Sequence, residues 1–177
     1  MAAPIIHGKP DHRKPDGLRT AQSWEQKLNR RLPLFGHRNW IVVADAAYPA
    51  PSNPGIETVV AGGNHLHVVR AVLERFAACE HIRANVYVDR ELDFIVERDA
   101  PGIEEYRRDL HGLLKDAAIQ QLPHEEIIAR LDQCAQLFRV LILKTGLTLP
   151  YTSVFFELDC GYWNAEAEER LRMAMRK

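Results

Sequence analysis

Cysteine is scarce in this 177-residue chain: Cys79, Cys134 and Cys160 are odd in number and scattered, with no Cys-x-x-Cys pair. That argues against a disulfide framework and a zinc knuckle, and it fits a reducing, cytoplasmic setting. No apolar run approaches the ~20 residues a membrane-spanning helix needs, so no membrane role is expected. Residues 1–17 hold no long apolar core and do not read as a secretory signal. No block of Lys or Arg stands out, and the formal net charge is −1. Nucleic acid and anionic membrane surfaces therefore have no electrostatic reason to bind. Repeats and low-complexity tracts are absent. So are the phosphate-binding glycine fingerprints: Gly62-Gly63-Asn64 reads as a plain turn before a helix rather than an anion cradle.

What is present is ordinary for a folded domain, with 46% hydrophobic and 27% charged residues. A chain of this length buries a sizeable core without staples. Residues 1–17, rich in Pro, Gly, Lys and His, predict a mobile arm. Residues 18–177 predict a single domain. Leu18, Ala21, Trp24, Leu28 and Leu32 recur at helical spacing, with Asp16 or Thr20 as candidate caps. Short β-branched runs predict strands at Trp40 to Asp45, Ile56 to Ala61, Ala84 to Val88, Ala117 to Gln121, Arg139 to Leu143 and Val154 to Leu158. Helical patterns lie between them at 64–79, 103–115 and 124–136, and a last helix follows Asn164. Strands alternating with helices predict a three-layer α/β/α fold whose sheet is mainly parallel or mixed.

Ligands of open α/β sheets bind beyond the strand ends. Two stretches put reactive groups there: Gly36-His37-Arg38-Asn39 with Asp45, and Thr145-Gly146 followed by Pro150-Tyr151-Thr152-Ser153. Chemistry alone leaves their roles open. A histidine beside a strand is more often a hydrogen-bonded structural residue. Asp45 serves equally as a cap, and Tyr151 equally as a packed aromatic. His65 and His67 point about 200° apart on a helix and cannot share one ion, so no metal site is expected. The acidic start and basic end of the last helix complement its dipole and need no functional explanation.

Taken in order, Gly36-His37, the strand Ile41-Val42-Val43-Ala44-Asp45, Pro49, His124, Thr145-Gly146 and Pro150-Tyr151 before Val154-Phe155-Phe156 resemble the D-ribose pyranase / L-fucose mutarotase family. The resemblance covers roughly residues 28 to 162. It implies a cofactor-free monosaccharide site with His37 as proton donor and Asp45, His124, Tyr151 and Ser153 binding the sugar. It also implies a three-layer α/β fold and ring-shaped homo-oligomers with sites near subunit contacts. Three departures stand out: Ser153 replaces the family's Asn, Asn39 replaces an acidic residue, and Val60-Ala61-Gly62-Gly63 replaces a stretch that carries an arginine in the fucose branch.

The chemistry is consistent with those groups. Mutarotation takes a proton from the anomeric hydroxyl and delivers one to the ring oxygen, which an imidazole does near neutrality. The leading reading is thus an isomerase that opens and recloses a sugar ring. The alternative is a non-catalytic sugar-binding protein of the same fold, favoured by Asn39 and Ser153. A third is an oligomeric scaffold. Phe155, Phe156, Tyr162 and Trp163, clustered near the chain end, predict a contact between copies.

Overall fold

Helix α1 (Trp24–Arg31) starts on a Ser-x-x-Gln capping box: the Ser23 hydroxyl accepts from the Gln26 N–H, and the Gln26 side chain accepts from the Ser23 N–H. The computed structural model describes residues 23–176, so the expected arm at 1–17 and the caps Asp16 and Thr20 lie outside the described residues. For the described helix the cap is Ser23. A short 3-10 turn, Leu32–Leu34, follows at the proline that ends the helical pattern.

Among the described residues six strands and four further helices come after it along the sequence pattern, β1 (Trp40–Ala44), β2 (Ile56–Val60), α2 (His65–Ala77), β3 (Ile82–Asp89), α3 (Ile103–Leu113), β4 (Ile119–Leu122), α4 (His124–Ala135), β5 (Val140–Lys144), β6 (Val154–Cys160) and α5 (Ala165–Ala174). They build one sheet of order β2-β5-β1-β6-β3-β4. β2, β5 and β1 pair in parallel, as do β3 and β4, while β6 runs antiparallel to both β1 and β3. The sheet is therefore mainly parallel with one reversed strand.

Alternation along the central strands feeds two cores. Ile41, Val43, Leu141, Leu143 and Phe156 meet Leu28 of α1, Val68 and Val72 of α2, and Leu110 of α3. Trp40, Val42, Ile142 and Phe155 meet Ile127 and Leu131 of α4 on the opposite face. Helices thus cover both faces, the three-layer arrangement that continuous apolar strands require. Phe155 and Phe156 are fully buried, one in each core. They are therefore unavailable for a contact between copies, and of the four clustered aromatics only Tyr162 and Trp163 stay exposed. Helix α5 buries no residue. Among the described residues no helix is long and apolar enough to cross a membrane.

Candidate functional site

Because β6 is reversed, the segment entering it lies at the same sheet edge as the ends of the five other strands. Asp45 follows β1 there, Asp89 closes β3, His124 opens α4 just after β4, and Tyr151 to Ser153 lead into β6. The Ser153 hydroxyl donates to Asp45 Oδ2 at 3.1 Å, and the Ala47 N–H donates to Asp45 Oδ1 at 2.8 Å. The carboxylate is thereby fixed with lone pairs to spare. It borders a small cavity of about 320 Å³ lined by Ala46, Ala47, Thr148, Leu149 and Pro150. Thr145, in the second turn singled out above, has a structural role: its hydroxyl and N–H both donate to the Ala44 carbonyl and lock the ends of β1 and β5 together.

Beside this pair, His124 Nδ1 lies 3.0 Å from Asp89 Oδ1, and the His124 and Tyr151 rings meet edge to face with centroids 5.6 Å apart. Glu91, in the 3-10 turn Arg90–Phe94, accepts the His124 backbone N–H with both carboxylate oxygens. Asp89 is fully buried, and its Oδ2 has no hydrogen-bond partner among the described residues. Burial pushes its carboxyl up to about 6, against the opposing pull of His124.

Below the edge, buried His65 contacts the Val43 carbonyl through Nε2 at 3.2 Å and the Tyr106 hydroxyl through Nδ1 at 3.1 Å. The Tyr106 hydroxyl also donates to the Thr152 carbonyl at 2.9 Å. Burial drives the His65 imidazole down to about 4. His65 therefore braces β1 against the chain entering β6 and stays neutral near pH 7.

Asp45, His124, Tyr151 and Ser153 thus share one edge. His37 does not: it precedes β1 whereas Asp45 follows it. Trp40 to Asp45 alone spans about 17 Å at a strand rise of about 3.3 Å per residue. His37 is exposed, with Nδ1 2.8 Å from Asp159 Oδ1. It stands between grooves of about 680 Å³ and 410 Å³, the larger one walled by Tyr162, Trp163 and Arg83. Asn39 closes the turn that presents it, its Oδ1 accepting from the Gly36 N–H at 2.8 Å.

Among the described residues only two other than glycine have left-handed backbone, Arg38 (φ 74°) and Tyr151 (φ 55°). One adjoins His37 and the other is itself a candidate, and such strain gathers where side chains are held for function. Sequence reasoning missed Asp89 and Asp159. A carboxylate closing β3 was a visible signal for Asp89, in the same position relative to its strand as Asp45. Asp159 gave none, because its partners come from distant parts of the chain.

No curated protein matches this sequence. Among solved structures, RbsD of Bacillus subtilis complexed with D-ribose superposes with a TM-score of 0.56 at 20% identity, covering 80% of this chain and 98% of that one. The fucose mutarotase of Streptococcus pneumoniae in complex with L-fucose gives a TM-score of 0.49 at 22% identity, covering 75% and 91%. At such identities the likeness to RbsD shows the fold alone. The family model RbsD / FucU transport protein family matches residues 21–161, from before α1 to the end of β6. The match covers every strand and stops short of α5, and this chain belongs to the RbsD / FucU transport protein family.

Proposed function

We propose that this protein binds a monosaccharide at the Asp45 edge and interconverts its ring forms, as a mutarotase or pyranase does. The observation that carries the reading is the convergence at one sheet edge of the Asp45–Ser153 pair and the His124–Asp89 pair, with Tyr151 beside them. A fixed carboxylate, a hydroxyl and a phenol are hydrogen-bonding partners for sugar hydroxyls. The ribose-bound relative of like fold, B. subtilis RbsD, supports the choice of ligand class.

In the reaction a base takes the proton from the anomeric hydroxyl. The bond from the anomeric carbon to the ring oxygen breaks, the carbonyl forms, and the ring oxygen receives a proton. The reverse steps close the ring on the other face or through another hydroxyl. His37 is the group we assign to proton transfer. Since β1 separates it from Asp45, it reaches the sugar from a second copy of the chain in a homo-oligomer. The non-catalytic binding reading is favoured by that same separation: a monomer would hold the sugar anchors without His37.

Saturation-transfer NMR against pentoses and hexoses tests the anchor. At least one sugar is expected to bind, and Asp45→Asn to weaken it on the order of 10-fold, the loss of one hydrogen bond to a charged group. Equal affinity in Asp45→Asn would remove Asp45 from the site. No binding by any sugar would remove the reading.

A further inference from the structure

Arg83 and Asp159 are register partners on the antiparallel strands β3 and β6. The guanidinium grips Asp159 Oδ2 through Nε at 3.1 Å and Nη2 at 2.6 Å. The Cys160 N–H donates to Oδ1 at 2.8 Å. These contacts hold the carboxylate in one orientation with Oδ1 turned to His37. Burial works against ionisation of Asp159, but the hydrogen bonds from Arg83, Cys160 and His37 outweigh it and keep the carboxyl below its usual range.

The other half of the contact is equally fixed. The Arg38 N–H donates to the Leu158 carbonyl at 2.8 Å, and the Leu158 N–H donates to the Asn39 carbonyl at 2.8 Å. This short ladder, with Arg38 in left-handed backbone, sets His37 beside Asp159. An ionised carboxylate only accepts, so Nδ1 carries the proton in the 2.8 Å contact. The lone pair of the neutral ring then lies on Nε2, which has no hydrogen-bond partner among the described residues.

We propose that Asp159, clamped by Arg83, is the positioning residue of His37: it keeps the proton on Nδ1 and leaves Nε2 as the nitrogen that exchanges protons with the sugar. The inference rests on the reading of His37 as the proton-transfer group. A sugar proton taken up at Nε2 gives an imidazolium whose Nδ1–H stays on Asp159, and Nε2 then returns the proton to the ring oxygen. Asp159 itself neither gains nor loses one.

The test joins nitrogen-15 NMR of His37 with sugar ring-exchange rates in the intact protein. Wild type is expected to show the Nδ1–H tautomer. Asp159→Ala is expected to shift His37 toward Nε2–H and to lower the saturating rate roughly 10-fold with KM little changed, a part of the roughly 10²-fold or more that loss of the acid–base group itself costs. Asp159→Glu should restore part of both, and Arg83→Gln, which leaves the carboxylate in place but unclamped, should give an intermediate rate. An Nε2–H tautomer in wild type would overturn the proposal. So would an unchanged rate in Asp159→Ala while His37→Ala is slow. Equal rates for wild type and His37→Ala would overturn the catalytic reading of His37 and this role with it, whatever the tautomer.

Discussion

At the scale of single residues, Asp89 carries an electrostatic consequence that a pH series can test. Burial raises its carboxyl from 3.8 to about 6. A group raised in the fold stabilises the fold fully only below its unfolded value, and that contribution is lost as pH climbs through the folded value. The window runs from about pH 4 to about pH 6, and the shift corresponds to about 3 kcal/mol. Relative to Asp89→Asn, wild type is therefore expected to lose stability by that order between pH 4 and pH 7, as urea unfolding would measure. A constant difference across that range would contradict the buried, raised carboxyl. Asp89 lies at the start of a stretch, 89–102, whose local pattern favours no single element. Its burial depends on β4 and α4 closing over it, which is not a local property. The separation of His37 from Asp45, by contrast, is legible by counting: a strand lies between them.

At the scale of elements, the strands and most helices follow from local pattern. Trp40 to Ala44 is continuously apolar because both sheet faces are covered. The direction of β6 was not legible, since an apolar run such as Val154-Phe155-Phe156 reads the same either way. That direction is what brings Tyr151 and Ser153 to the Asp45 edge and Asp159 to the His37 edge. Gly161 secures the second of these: a Cβ there would collide with the Glu80 carbonyl and come within 2.9 Å of the Ile82 nitrogen. Both are backbone atoms and cannot swing aside. Gly161→Ala is expected to destabilise the protein by about 1–3 kcal/mol, the range for a steric clash with backbone. The same displacement should loosen the His37–Asp159 contact. Unfolding curves that superimpose on wild type would show that β6 yields without strain.

For the whole molecule, the two ends of the sheet have different chemistry. One end gathers carboxylates, a hydroxyl and His124; the other presents His37 on its Asp159–Arg83 support, beside the larger groove. A catalyst that needs both must bring two copies together, and exposed Tyr162 and Trp163 flank the His37 end. The sequence pointed to His37, Asp45, His124, Tyr151 and Ser153 but not to Asp89, Asp159 or Arg83, and nothing in its local pattern tells which copy each group would serve in an assembly, because a contact between copies leaves no periodicity. Two variants isolate the two halves: His37→Ala keeps the sugar anchors, and Asp45→Asn keeps the proton carrier. The direct measurement is exchange spectroscopy of sugar ring forms with the sugar held well below its Kd, where Asp45→Asn is slow through weak binding, made on wild type, on each variant, and on the two variants unfolded together and reassembled at equal amounts. His37→Ala alone is expected to be slower than wild type by roughly 10²-fold or more, and the mixed assembly to regain about a quarter of the wild-type rate through randomly formed sites that draw both intact halves from different chains. A His37→Ala rate equal to wild type, a mixture no faster than its parents, or a wild type that leaves the sugar exchanging as it does in buffer would contradict the account.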